Sequence, residues 1–127
     1  MNKVLLDSSA LLALIHREKG AELVEPFLGC AVMSAVNYAE VLSKLMEKGV
    51  PDKEAITIVR DLLQEVIPFD EQSAAVSGRL RSHTKSLGLS LGDRACLATA
   101  EVHELEVLTA DKVWAKVKAP VKIKCVR

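Results

Sequence analysis

Val4-Leu5-Leu6-Asp7-Ser8-Ser9-Ala10-Leu11-Leu12 is the stretch that decides the fold. Three consecutive apolar residues ended by an acid read as a strand buried on both faces, because a half-exposed strand would alternate apolar with polar. Asp7-Ser8-Ser9 turns the chain, and Ala10 to Ile15 reads as a helix with Ser8 or Ser9 as its N-cap. A buried strand feeding directly into a helix is the opening unit of a parallel α/β sheet.

The rest of the chain repeats that alternation. A short helix is predicted over Ala21 to Leu28, disturbed or ended by Pro26, and Gly29 precedes a second buried strand at Cys30-Ala31-Val32-Met33. Ser34 caps a helix from Ala35 to Lys48, closed by Gly49, and Pro51-Asp52 opens another through about Gln64. Val66-Ile67-Pro68-Phe69 is a weak strand, since its proline gives nothing to a sheet ladder. A helix follows from Glu71 to about Lys85, a break at Leu87-Gly88-Leu89, and a helix from Ser90 to about Glu104. Val107-Leu108-Thr109 is the fourth strand, Lys112 to Val117 a turn or two of helix, and Val121 to Val126 an edge strand. The expected fold is α/β, with a central parallel sheet of four to five strands and helices on both faces.

The 127 residues, 1–127, suit one domain, and a chain that is 50% hydrophobic is not disordered. Seventeen basic and seventeen acidic side chains cancel, so nucleic-acid contact would need a local basic patch rather than a global field. Aromatics at 3% exclude a base-stacking platform. Cys30, Cys96 and Cys125 lie far apart without a CxxC or zinc-ligand spacing and read as reduced core thiols. Val4-Leu5-Leu6 lacks a basic lead and a cleavage-type end, and no stretch nears the roughly 20 apolar residues of a membrane span. The expectation is a soluble, cytoplasmic protein with no membrane partner.

Four acids stand out by position. Asp7 closes the first strand and Asp111 stands just past the fourth, at the strand ends where parallel sheets collect ligands. Asp93 falls in the first turn of its helix and Glu40 near the middle of the Ala35–Lys48 helix. Converged carboxylates need protons or a cation to neutralise them, and hard oxygen donors suit Mg²⁺ or Mn²⁺. Each acid also has a purely structural explanation. Asp7 could cap the following helix, and Asp111 the short one after it. Ser90-Leu91-Gly92-Asp93 fits a capping box. Glu40 shares a helical stripe with Asn37, Ser43, Lys44 and Glu47, opposite Ala35, Tyr38, Ala39, Leu42, Leu45 and Met46, as an ordinary solvated face would. His16, His83 and His103 are scattered, Ser8 and Ser9 lack a G-x-S-x-G context, and the glycine-rich phosphate cradles are missing. Arg79-Leu80-Arg81-Ser82-His83-Thr84-Lys85 is locally basic, reading as a phosphate contact or as a solvated helix face.

In order and separation, Leu5-Leu6-Asp7-Ser8-Ser9-Ala10-Leu11-Leu12, Ser34-Ala35-Val36-Asn37-Tyr38-Ala39-Glu40-Val41-Leu42, Leu89-Ser90-Leu91-Gly92-Asp93 and Leu108-Thr109-Ala110-Asp111 resemble the PIN domain, most closely the VapC-type toxins of toxin–antitoxin pairs. No single motif is specific, whereas four in this order are. The resemblance places the family's four acids on Asp7, Glu40, Asp93 and Asp111, and site-supporting hydroxyls on Ser9 and Thr109. Ser8 stands where threonine is frequent and Gly92 where alanine is frequent; neither departure removes a ligand.

The implied activity is metal-dependent hydrolysis of RNA phosphodiesters, an endoribonuclease. Asp7 and Asp93 would be the main ligands of Mg²⁺, with Mn²⁺ able to substitute, and Glu40 and Asp111 would bind through water or hold a second ion. Arg79, Arg81 and Lys85, or Arg94 beside the site, are the expected contacts to the RNA backbone. The resemblance further implies a cognate antitoxin whose C-terminal segment covers the acidic site, and a homodimer. Two rivals are weighed: a PIN-type module that binds RNA or protein without cutting, and an aspartate-nucleophile phosphatase. The phosphatase pattern D-x-D is broken here because Ser9 replaces the second acid.

Overall fold

The computed structural model describes residues 2–127. In chain order they form β1 (Val4–Leu6), α1 (Ser8–Ile15), α2 (Ala21–Val24), β2 (Ala31–Ser34), α3 (Ala35–Glu47), α4 (Asp52–Leu62), β3 (Glu65–Ile67), α5 (Glu71–Thr84), α6 (Leu91–His103), β4 (Glu106–Thr109) and β5 (Ile123–Cys125), with 3₁₀ segments at Glu25–Cys30, Lys85–Leu87 and Lys112–Lys116. The five strands make one sheet in the order β3-β2-β1-β4-β5, with every pairing parallel. The α/β fold read from the sequence is therefore the observed one.

Strand alternation divides the core in two. Val4, Leu6, Ala31, Met33 and Leu108 face a layer built from α1, α2, α3 and α4 through Leu11, Val24, Val41, Leu45 and Val59. Leu5, Val32 and Val107 face the other layer, where Leu80 of α5, Cys96 and Leu97 of α6, and Trp114 complete the packing. Neighbouring residues of β1 thus point into different cores, which is why Val4-Leu5-Leu6 carries no polar position.

Several boundaries differ from the sequence reading: β2 runs Ala31–Ser34 rather than Cys30–Met33 and β5 Ile123–Cys125 rather than Val121–Val126, and three others have a local cause. The first helix starts at Ser8 rather than Ala10, because its cap is Asp7 and neither serine: Asp7 Oδ1 accepts from the Ala10 amide at 2.8 Å. The second helix ends at Val24 and continues as 3₁₀ over Glu25–Cys30, since Pro26 has no N–H for an α-helical bond. The weak third strand is real but shifted to Glu65–Ile67, ending before Pro68 at the edge of the sheet.

Because β2 lies on one side of β1 and β4 on the other, the chain reverses its direction of travel across the sheet between β1 and β4. The carboxyl ends of these two strands flank the crevice in which parallel sheets bind ligands.

Candidate active site

Asp7 follows β1 directly, and its amide extends the β1–β4 ladder by donating to the Leu108 carbonyl at 3.2 Å. Its side chain is 4% exposed and surrounded by donors. Oδ1 accepts from the Ala10 amide and from Ser9 Oγ, both at 2.8 Å. Oδ2 accepts from Thr109 Oγ1 at 2.6 Å and lies 2.8 Å from Ser9 Oγ. Burial nevertheless dominates and pushes the carboxyl up to about 6, against the Thr109, Ala10 and Ser9 hydrogen bonds that lower it; the nearby Asp93 charge raises it further.

The two hydroxyls join strand ends as well as acids. Ser9 Oγ accepts from the Ala110 amide at 2.9 Å, and Thr109 Oγ1 accepts from the Asp111 amide at 3.0 Å. Asp111 Oδ1 then caps the following 3₁₀ segment by accepting from the Val113 amide at 3.0 Å. Asp93 forms the capping box of α6: its Oδ2 accepts from the Ser90 amide at 2.9 Å while Ser90 Oγ accepts from the Asp93 amide at 3.1 Å. Its carboxyl is also raised, by burial first and then by the charges of Glu40 and Asp111.

Glu40 is not on a free solvated stripe. Asn37, grouped with it on the exposed face in the sequence reading, is buried, and the helix's inner face is Asn37, Val41 and Leu45. The side-chain Nδ2 of Asn37 donates to Glu40 Oε1 at 2.8 Å and to the Gly92 carbonyl at 3.0 Å, tying α3 to the start of α6. Ser8 Oγ donates to the same Oε1 at 2.7 Å. Asn37 and Ser8 were missed as supporting residues; an Asn–Glu pair at i, i+3 was the available signal.

Gly92 is the other missed residue. A Cβ there would sit 2.7 Å from Glu40 Cδ and 2.8 Å from Oε1, inside van der Waals contact. We expect Gly92→Ala to displace the Glu40 carboxylate from Ser8 and Asn37 and, if the cleft holds a divalent cation, to weaken that binding by about 10-fold. Isothermal titration with Mn²⁺ checks this, and unchanged affinity would show that Glu40 has room to swing aside.

Asp7, Glu40, Asp93 and Asp111 all line one cleft of 320 Å³, with Ser8, Ser9, Leu12, Glu18, Lys44 and Arg127. Among the described residues, Asp93 Oδ1, Glu40 Oε2 and Asp111 Oδ2 have no protein donor. No three His, Cys, Asp or Glu side chains among the described residues form a ready-made cluster around one ion. That spacing still fits Mg²⁺, which is typically held by one or two carboxylates and keeps several of its waters. Beneath the site the buried Cys96 thiol is pushed well above its usual value by burial and by Asp7, Asp93 and Glu40, so it stays a neutral packing group.

None of the expected RNA contacts lines the cleft. Arg79 pairs with Glu101, Arg94 donates through Nη1 to the Ser77 carbonyl at 3.0 Å, and Arg81 and Lys85 are exposed on or just after α5. The cations that do line it are Lys44 and Arg127. Among the described residues, no helix is long and apolar enough to cross a membrane.

A family profile described as PIN domain matches residues 4–120. Comparison with curated proteins gives no match. Among solved structures, the DNA-bound VapBC from Salmonella typhimurium superposes with a TM-score of 0.74 at 17% identity, over 100% of both chains. A toxin–antitoxin complex from Klebsiella pneumoniae gives 0.72 at 24% identity, covering 95% of this chain and 100% of the other. FitAcB from Neisseria gonorrhoeae gives 0.68 at 25% identity, covering 99% and 98%. The profile spans the chain from β1 to the approach of β5 and takes in all four acids at the switch point of the sheet, so the chain belongs to the PIN domain family.

Proposed function

We propose that this chain is a metal-dependent endoribonuclease acting as the toxin of a toxin–antitoxin pair. The observation that carries the reading is the convergence of four acids from four separate parts of the chain on one cleft. Three of them keep an oxygen free of protein donors. Capping accounts for Asp7, Asp93 and Asp111 one at a time, but bringing four carboxylates together costs electrostatic repulsion that a cation would offset.

Asp7 and Asp93 would hold Mg²⁺, or Mn²⁺ in its place, with Glu40 and Asp111 acting through water or holding a second ion. The bound cation would supply a water of lowered pKa and neutralise phosphate charge. The chain's own residues do the positioning. Ser9 and Thr109 aim Asp7, the Ser90 capping box orients Asp93 with one oxygen free, and Ser8 and Asn37 fix one oxygen of Glu40 and leave the other without a protein donor.

The structures that the chain superposes on include VapBC, FitAcB and a toxin–antitoxin complex, which supports a cognate antitoxin as partner; a cytoplasmic setting is part of the same proposal. A homodimer belongs to the same reading: light scattering would show a particle twice the 13.8 kDa chain mass, and a lone 13.8 kDa species at micromolar concentration counts against it.

The test is cleavage of structured and single-stranded RNA by wild type and Asp7→Asn. Cleavage that requires Mg²⁺ or Mn²⁺ and disappears with EDTA and with the substitution supports the proposal. RNA bound equally with and without metal and left intact would favour a binding module instead.

A further inference from the structure

Arg127 reaches the acidic cleft through a series of specific contacts. Val126 is buried, and its amide donates to the Thr109 carbonyl at 2.8 Å, so the chain beyond β5 follows β4 to the site. It passes over Gly20, whose φ of +101° is left-handed and where a Cβ would lie 2.5 Å from the Val126 carbonyl oxygen; glycine is required twice over. Arg127 Nε then donates to the Lys19 carbonyl at 2.9 Å, and Nη2 lies 3.4 Å from Glu18 Oε1. Glu18 and Arg127 both line the cleft with the four acids.

These contacts occupy one edge of the guanidinium and leave three of its five N–H donors uncommitted. The side chain is 30% exposed, so it is immobilised without being sealed off. Five carboxylates line the cleft against two cations, Arg127 and Lys44. Lys44 lies one helical turn beyond Glu40 and makes no ion pair among the described residues. A polyanion entering this cleft needs cations already in place, and a planar fork held from behind suits a phosphate in front.

We propose that Arg127 is a substrate-positioning residue whose free guanidinium edge takes an RNA backbone phosphate beside the scissile one, with Lys44 as a second contact along the strand. This rests on the reading of the cleft as a ribonuclease site. It replaces the cations of α5 and α6 as the main electrostatic hold, since Arg79 of α5 is paired and Arg94 of α6 is turned to a backbone carbonyl.

The experiment has two parts. Binding of a fluorescein-labelled single-stranded RNA of mixed sequence is measured in the Asp7→Asn background with Mg²⁺ across a salt series. Cleavage of the same RNA is measured in the active protein. Arg127→Gln is expected to weaken binding about 10-fold and to lower the slope of log K against log salt by about 0.7, the signature of one lost single-strand phosphate contact. In the active protein KM rises by a similar factor while kcat changes little. Arg127→Lys, which keeps the charge without the fork, retains the slope and recovers part of the affinity. Should Arg127→Gln unfold, Arg127→Lys carries the test through a raised KM at unchanged slope. Lys53→Gln, exposed on α4, serves as comparator and leaves both quantities unchanged, while Arg81→Gln on α5 probes the competing hold. If wild type cleaves RNA but the Arg127 variants match it in KM and slope, or if Arg81→Gln shows the loss instead, this proposal alone fails. If wild type neither cleaves nor binds RNA, the nuclease reading fails and takes this one with it.

Discussion

Asp7→Asn is expected to abolish RNA cleavage and, in the metal-free protein at neutral pH, to raise the unfolding temperature. Asp7 has a folded value of about 6 against an ordinary 3.8, with burial as the main cause. Between those values the native chain holds a proton that the unfolded chain has released, so stability falls as pH rises from about 4 to about 6 and the penalty is complete above that range. A two-unit gap corresponds to about 3 kcal/mol. Asparagine carries no charge to desolvate and keeps a carbonyl oxygen for the Ala10 amide, the cap of α1. The value of about 6 already includes the Ser9 and Thr109 bonds, but asparagine sets its NH2 against the Thr109 hydroxyl donor, which offsets part of the gain and leaves about 1–2 kcal/mol, or an increase of about 3–8 °C in Tm. Thermal melts in EDTA at pH 4 and pH 7.5 check this: the variant is more stable at pH 7.5 and loses that advantage at pH 4, where wild-type Asp7 is largely protonated and only the offset remains. Mg²⁺ stabilises wild type at pH 7.5 by mass action and leaves the variant largely unmoved. Cleavage falls by at least about 100-fold, the scale of removing one preorganised electrostatic group. A variant less stable than wild type at pH 7.5 would mean that the hydrogen bonds outweigh burial at Asp7.

The fold was legible from the sequence because its signals were local. Val4-Leu5-Leu6 has no polar position, since its neighbours face different cores, and Ser34 and Ser90 do cap the helices that they precede. The acids were harder for an instructive reason. Capping and ligation had been set against each other for Asp7, Asp93 and Asp111, yet all three cap. In Asp93 and Asp111 the cap consumes one oxygen and leaves the other without a protein donor, so capping and the proposed ligation are compatible in one carboxylate. Spacing alone could not separate two readings that a single side chain can satisfy together.

What stayed hidden was long-range. The polar stripe around Glu40 looked solvated because nothing local shows that α6 packs over Asn37. Gly92 read as a minor departure because only the fold reveals the Glu40 carboxylate where its Cβ would be. Arg127 carries no motif; its place at the cleft depends on β5 pairing with β4 and on the glycine turn at Gly20. The α5 cations, by contrast, were conspicuous as a run and lie away from the cleft. The cations that line the cleft, Lys44 and Arg127, instead come from parts of the chain far apart in sequence, which no local run of charge reveals.

Thr109→Val should shift the pH dependence of cleavage more than its maximum. Thr109 is fully buried, and valine matches its shape, so the substitution removes a hydroxyl without opening a cavity. That hydroxyl donates to Asp7 Oδ2 at 2.6 Å and is the largest influence lowering the Asp7 carboxyl. A hydrogen bond to a charged acceptor contributes about 1.5–3 kcal/mol, or roughly one to two pKa units. Without it Asp7 keeps its proton to higher pH, and because a cation competes with that proton, the acid limb of the pH–rate profile moves up by at least about one unit. Activity near pH 6.5 then falls about 10-fold and recovers most of the way by pH 8.5, where wild type is already on its plateau. The Asp111 amide loses its acceptor in the same variant, which loosens Asp111 and predicts a pH-independent loss on top of the shift. Profiles measured for wild type, Thr109→Val and Thr109→Ser separate the two contributions, because serine keeps the hydroxyl and should restore the acid limb. A uniform loss at every pH, with the limb unmoved, would place the role of Thr109 in holding Asp111 rather than in governing the proton on Asp7.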